Sequence, residues 1–370
     1  MVDQIGRTNR GGAAGDSRGV TIAIDAMGGD YGPSEVVPGA IDYARANPND
    51  ALILVGDEII VRRIAGELPS NVETVHASQV IGMDEHPAKA LREKKDATIT
   101  VATSLVKQGR AEALVTAGHT GAGMGAAIFG LGRLPGVDRP ALAVQLTTDQ
   151  GSLVLLDIGA NPDSTPENLA QYARMGAIFS ERVLGVDNPR VALLSIGEEK
   201  GKGDQRIQDA TTLLDATNLN FVGNVEGKDV VRNLADVVVC DAVLGNVVIK
   251  FFEGLSGWIF DMFRAEFRGS FRGKVAAVLM RPGIRRIRDV FDYERAGGSP
   301  LLGVRGTVII THGRARRRMV TFGIEVAAKM ARTRVPELIA DAFADAASAS
   351  ATATGPGGEP AAEPRLESVS

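Results

Sequence analysis

The sequence predicts a doubly wound α/β fold, a mostly parallel sheet with helices on both faces. Three observations predict it. Short apolar runs recur along the chain and are continuous rather than alternating, the pattern of strands buried on both faces. Longer stretches of helical character stand between many of them, as right-handed crossovers require. Most of the apolar runs end in glycine or a small polar cluster, where turns belong.

Taken in order, Val20–Ala26 reads as the first strand, followed by the loop Asp25-Ala-Met-Gly28-Gly29-Asp30 and a helix over Ser34–Ala46. Strands follow at Ala51–Val55 and Val72–His76, then one helix over Pro87–Gln108 and a strand at Ala113–Ala117. The turn Gly118-His119-Thr120-Gly121 opens a helix over Thr120–Leu131. Strands at Ala141–Leu146 and Leu153–Ile158 lead to Asp157-Ile-Gly-Ala-Asn161 and a helix over Pro166–Val183. The remaining strands are Val191–Ile196, Asn220–Val222, Val237–Cys240 and Thr307–Thr311. They end in loops carrying Gly197-Glu-Glu, Gly223-Asn224-Val-Glu, Asp241 to Asn246, and His312-Gly313. Ligands of open parallel sheets bind beyond the carboxyl ends of the strands. The reading therefore expects these loops to gather at one ligand-binding edge.

The ends differ from the middle. Residues 1–19 lack periodicity, and residues 346–370 are mostly Ala, Ser, Gly, Pro and Glu, so both are expected to be disordered appendages of one domain over 20–345. The first nineteen residues have no apolar core of a secretory signal. No run is read as long enough in apolar residues to span a bilayer. The expected protein is soluble and cytoplasmic.

Composition removes several chemistries. With 44% apolar and 23% charged residues in 370, the chain has ordinary globular usage and enough length for a full core. Its single cysteine, Cys240, excludes an intrachain disulfide and a Cys-based zinc cluster, and reads as a buried small hydrophobe. The four histidines, His76, His86, His119 and His312, lack metal-ligand spacing, so no metal is expected. Neither the first turn nor Gly118–Gly125 matches the dinucleotide fingerprint. Gly197-Glu-Glu-Lys-Gly-Lys-Gly has the wrong spacing for a nucleotide-binding P-loop and lacks its Ser/Thr. No nucleophile elbow is present. No cofactor is expected.

Anion binding fits what remains. Thr120-Gly121 at a helix start offers backbone N–H groups and the positive dipole end to a phosphate or an oxyanion. Lys202, Lys250, His312 and Arg314 lie at or just past strand ends and add positive charge.

Residues 251–291 have another character. Phe263, Phe267 and Phe271 recur every four residues beside Arg264, Arg268 and Arg272, so one helix can present an aromatic and a cationic stripe. The apolar side extends to about Met280, where Pro282 interrupts it, and Arg285 and Arg286 continue the basic character. Fourteen Lys/Arg against four Asp/Glu lie between Arg264 and Arg318, a local +10 in a chain of net −4. This composition suits a membrane surface or an acidic protein, and equally a core-facing helix with a charged outer side. It lacks a recognised nucleic-acid module.

The motifs from about Val20 to Ala344 resemble the bacterial phosphate acyltransferase family. The resemblance rests on Ile24-Asp-Ala-Met-Gly-Gly-Asp30, Arg92-Glu-Lys-Lys95, Thr116-Ala-Gly-His-Thr-Gly121 and Asp138-Arg-Pro-Ala-Leu142. It continues in Leu155-Leu-Asp-Ile-Gly-Ala-Asn161, Phe221-Val-Gly-Asn-Val-Glu226, Asp236-Val-Val-Val239 and Gly245-Asn-Val247. It implies a three-layer α/β/α fold akin to phosphotransacetylases and isocitrate dehydrogenases, with the amphipathic segment protruding. It implies a homodimer that moves a fatty acyl chain from acyl carrier protein to inorganic phosphate. It further implies association with the inner face of the membrane, where an acyl-phosphate:glycerol-3-phosphate acyltransferase consumes the product. Acyl carrier protein is acidic, so part of the basic segment is a candidate dock.

Site residues follow from the resemblance and the loops together. Lys202 matches a lysine of the family's Lys-Gly loop and is expected to neutralise phosphate. His312 or Lys250 is expected to assist the departing thiolate. Backbone N–H groups of Thr120-Gly121 and Gly28-Gly29 are candidates for the oxyanion hole, with Asp25, Asp30 and His119 in the same loops. Asp241, Asn246, Asn161 and Asn224 are expected to orient these groups. Membrane or carrier contact is expected at the Phe263–Arg272 stripe and at Arg285 and Arg286. The sequence departs from the family at His119, where Asn is usual; at Ala242-Val-Leu244, where Gly-Phe-Thr is usual; and at Arg314-Ala-Arg316, where Ser-Ser-Asp is usual. A phosphotransacylase using acyl-CoA and a non-catalytic membrane-associated scaffold stand beside this reading.

Overall fold

The computed structural model describes residues 18–353 apart from Asp149 and Phe291. The chain begins β1 (Thr21–Asp25), α1 (Pro33–Ala46), β2 (Ala51–Gly56), α2 (Glu58–Ala65) and β3 (Val72–His76). It continues with α3 (Pro87–Glu93), α4 (Thr98–Lys107), β4 (Ala113–Thr116) and α5 (Thr120–Ala126), the last widening into a π-turn at Ala127–Leu131. A hairpin of β5 (Ala141–Thr148) and β6 (Gly151–Leu156) leads to α6 (Pro166–Phe179), β7 (Val191–Leu194), α7 (Gln205–Asp215), β8 (Phe221–Val225) and β9 (Val237–Val239). Two helices, α8 (Ala242–Gly269) and α9 (Phe271–Val290), precede β10 (Ser299–Leu302), β11 (Thr307–Ile310), α10 (Arg317–Arg332) and α11 (Val335–Ala353).

All strands join one eleven-stranded sheet in the order β3-β2-β1-β4-β11-β10-β5-β6-β9-β7-β8. Side chains alternate across it. Ile22 and Ile24 enter the core on the side of α1, α6, α7, α10 and α11, whereas Ala23 enters the core under α4 and α5. The fold is the three-layer α/β/α expected.

The sheet is mostly parallel but reverses in its middle. The pairs on the β1 side, from β3 to β11, are parallel, as are those on the β8 side, from β6 to β8. Between them β11–β10, β10–β5 and β5–β6 are antiparallel. The two parallel blocks therefore run in opposite directions. Their carboxyl-end loops lie at opposite edges, which corrects the expectation of a single edge.

Local readings need correcting too. The helix expected over Pro87–Gln108 is two helices, broken by Lys94–Ala97, where Ala97 is extended as the N-cap of α4. β10 was not expected: it is four residues long and contains Pro300. The amphipathic helix starts at Ala242, not 251, because the Asp241 carboxylate accepts from the Val243 and Leu244 N–H groups and caps it. It breaks at Ser270, which is extended, so Phe271 and Arg272 belong to α9 and not to the stripe of Phe263 and Phe267. Pro282 sits inside α9 without ending it. α8 is, by length and composition, long enough to cross a bilayer, contrary to the reading of the sequence. Its first turns instead bury Ala242, Gly245 and Ile249 in the domain. α11 continues to Ala353, past the boundary expected at 345. The expected disorder at 1–17 and 354–370 falls outside the described residues.

Candidate active site

The reversal in the sheet sets the site between its halves. A cavity of about 330 Å³ lies over β5 and β10, beneath α8. Leu142, Val144 and Leu146 of β5 project into it, with Ile249 and Phe252 of α8 facing them. Its polar lining includes Thr120, Asn246, Lys250, Glu253 and His312.

His312 follows β11, and Lys250 stands two turns into α8. Lys250 Nζ is 3.3 Å from His312 Nε2 and donates to Glu253 Oε2 at 2.9 Å. His312 Nδ1 accepts the Arg314 N–H at 3.1 Å. A neutral ring that accepts at Nδ1 carries its proton on Nε2, the nitrogen facing Lys250. Burial, and next the positive charge of Lys250, push the His312 pKa below the imidazole value. The ring is therefore neutral at neutral pH. Its Nε2–H is a donor that can face an anion.

The loops after β1 and β4 brace this edge rather than line it. Asp25 is buried, and burial raises its pKa against hydrogen bonds from Thr98, Thr116 and the Met27 and Gly28 N–H groups. Asp25 Oδ2 accepts from the Thr116 hydroxyl at 2.8 Å, while its buried Oδ1 has no hydrogen-bond partner. A Cβ on Gly28 would stand 2.7 Å from Asp25 Oδ2 and 2.8 Å from Gly118 N, so only glycine lets the two loops meet. Gly29 has φ +95°, and the Asp30 N–H donates to Gly313 O at 2.8 Å, tying the β1 loop to the His312 loop. His119 caps α5: its Nδ1 accepts the Gly121 N–H at 3.0 Å. That N–H is no longer available to an oxyanion, whereas Thr120 lines the cavity.

The other predicted residues gather at the opposite edge. Asp157 is buried and accepts from the N–H groups of Leu142, Gly159, Ala160 and Asn161, which partly offset the upward push of burial on its pKa. Asn161 also donates to Pro140 O and Tyr172 Oη, so it fastens this corner instead of facing a ligand. Asp241 accepts from Arg206 at 2.9 Å while capping α8. Asn224 donates to Glu199 O at 3.3 Å. Lys202 is exposed in the loop after β7 and does not line the cavity. Of the predicted residues, the structure brings together Thr120, Asn246, Lys250 and His312. Sequence reasoning missed Glu253 and Arg206. Glu253 was readable from its spacing three residues after Lys250, once a helix there was recognised.

Residues 20–338 match a family model described as fatty acid synthesis protein. A phosphate acyltransferase of Desulfitobacterium hafniense is 47% identical over 309 residues, covering 83% of this chain and 92% of that protein. One of Nitratidesulfovibrio vulgaris is 44% identical over 325 residues, covering 87% and 94%. The chain belongs to the phosphate acyltransferase family. It is accordingly an acyltransferase. Solved phosphotransacetylases of Streptococcus pyogenes and Staphylococcus aureus share its fold, with TM-scores of 0.56 and 0.55 at 16% and 17% identity. Each covers 85% of this chain and 94% of its own.

Two departures from the phosphate acyltransferase pattern acquire physical meaning. His119 performs the capping that an Asn at this position can provide, through Nδ1. Arg314 stands 3.8 Å from Asp30, and Arg316 lies over the Tyr31 ring at 5.0 Å. Both add links between the His312 loop and the β1 loop.

Proposed function

We propose that the chain transfers a fatty acyl group from acyl carrier protein to inorganic phosphate, forming an acyl phosphate for phospholipid synthesis. One observation carries this reading: an apolar cavity whose polar lining holds a cation and a neutral imidazole N–H 3.3 Å apart.

Phosphate at neutral pH is already an anionic nucleophile, so the site must position it and stabilise charge. A phosphate oxygen attacks the thioester carbonyl carbon, and the carbonyl oxygen takes the electron pair. Lys250 and the His312 Nε2–H supply donors for the phosphate and that oxyanion, and Thr120 and Asn246 border them. Collapse breaks the carbon–sulfur bond. The proton of monohydrogen phosphate ends on the thiol, whose ordinary pKa of about 8.5 makes a dedicated acid unnecessary. Glu253 orients Lys250. Arg206, through Asp241, fixes the start of α8 and with it the register of Asn246 and Lys250. Lys202, at the far edge, is assigned to phosphate approach rather than to the transition state.

The uncovered faces of α8 and α9 support docking at an anionic membrane surface. Phe251, Trp258 and Phe271 are 67%, 62% and 81% exposed, and Arg272, Arg281, Arg285 and Arg286 belong to the same hairpin. There the product would pass to an acyl-phosphate:glycerol-3-phosphate acyltransferase. A homodimer at the cytoplasmic side of the membrane completes the reading.

Lys250→Ala tests the centre of it. Loss of a charge contact made in the transition state lowers kcat on the order of 10²-fold or more. Near-normal kcat in a folded variant would refute the role of Lys250.

A further inference from the structure

The cavity continues well past the groups that the chemistry needs. Strand register fixes its geometry. Ile310 of β11 pairs with Ser299 of β10, and Leu301 of β10 pairs with Leu142 of β5. Counting along these strands puts Ser299 level with Val144, and His312 level with Leu146. From the level of His312 the floor therefore runs down β5 through Leu146, Val144 and Leu142. At about 3.3 Å per residue, that floor is about 13 Å long.

Apolar side chains make up most of its walls, with Ser299 at the level of Val144 and Asn246 on α8 as polar neighbours. Val144 is buried at 7% exposure on the face that α8 covers, while Ala143 points into the opposite core. Ile249 and Phe252 form the roof. The floor side chains Leu146, Val144 and Leu142 are all apolar, and a chain of methylenes gains by leaving water for them.

We propose that Val144 sets the length of acyl chain that the enzyme accepts. The inference rests on the acyl-transfer reading and assigns the chain to this chamber. With the thioester held at Lys250 and His312, the first carbons lie over Leu146 and later ones must pass over Val144. A larger side chain at 144 closes the chamber about two residues from His312. A smaller one widens it at the same level.

The test compares wild type, Val144→Phe and Val144→Ala in phosphate-dependent thiol release. The donors are acyl carrier protein thioesters of butyryl, octanoyl, lauroyl and palmitoyl groups. Far-ultraviolet circular dichroism and thermal unfolding establish that each variant is folded. Val144→Phe is expected to lower the palmitoyl-to-butyryl ratio of kcat/KM by tenfold or more, the scale of a few misplaced methylenes. Val144→Ala is expected to shift the optimum toward the longer donors. Variants that change all chain lengths in equal proportion, or not at all, would overturn the proposal while leaving acyl transfer standing. Wild type that releases no thiol with any donor would instead overturn the acyl-transfer reading, and the chamber's role with it.

Discussion

His312 owes its state to what surrounds it rather than to its own chemistry. Its Nδ1 is committed to the Arg314 N–H, and Lys250 stands at its Nε2. Burial and that positive charge both disfavour the imidazolium, so the folded pKa lies below 6.5. Activity that needs the neutral ring is then complete at neutral pH and is lost only as pH falls through the depressed value. With four histidines in the chain, their ring proton resonances can be followed individually. His312 is expected to titrate below 6.5, and Lys250→Met to move it upward. Titration at or above 6.5 in wild type would contradict the account. None of this was legible from the sequence, which shows a His-Gly pair after an apolar run but not its distance from Lys250. The string around Gly245 was more informative. A Cβ there would lie 2.0 Å from the Asp157 carbonyl oxygen, so the glycine of Gly245-Asn-Val is what lets α8 approach the end of β6.

At the scale of elements, strands were readable wherever an apolar run was continuous and ended in a turn, as at β1 and β2. β10 was hidden by its shortness and by Pro300, and the break between α3 and α4 by a helical pattern that persists across it. The amphipathic segment was recognised but misplaced. Its start depends on a capping carboxylate, Asp241, and its division on the extended backbone of Ser270. The result is a helical hairpin with much of its apolar surface uncovered. Phe263 and Phe267, with ring centroids 6.2 Å apart, form one patch of it near the end of α8. Replacing both with Ser is expected to weaken flotation with vesicles containing anionic lipid by about tenfold, since each ring buries a large apolar area at the interface. Activity on carrier-protein thioester in solution should persist, because both rings lie four or more turns from Asn246. Unchanged flotation would contradict a membrane role for this hairpin.

At the scale of the molecule, the sequence alternation of strands and helices revealed the fold class but not the reversal of the sheet. Strand direction depends on which strands become neighbours, and no local pattern records that β10 lies between β11 and β5. That one fact redistributes the predicted residues. Asp25, His119 and His312 fall at one edge, and Asp157, Asn161, Asn224 and Lys202 at the other, with α8 reaching from Asp241 at the second edge to Lys250 beside His312 at the first. The helix thus spans the two edges over the antiparallel strands β10 and β5 that join the halves.

The proposed reaction is acyl transfer to phosphate. Its most direct test measures free carrier-protein thiol released from palmitoyl-acyl carrier protein, with and without inorganic phosphate, while hydroxylamine traps any acyl phosphate. Release that requires phosphate, matched by trapped hydroxamate, is the predicted result. Folded protein that releases no thiol, or releases it equally without phosphate, would contradict the account.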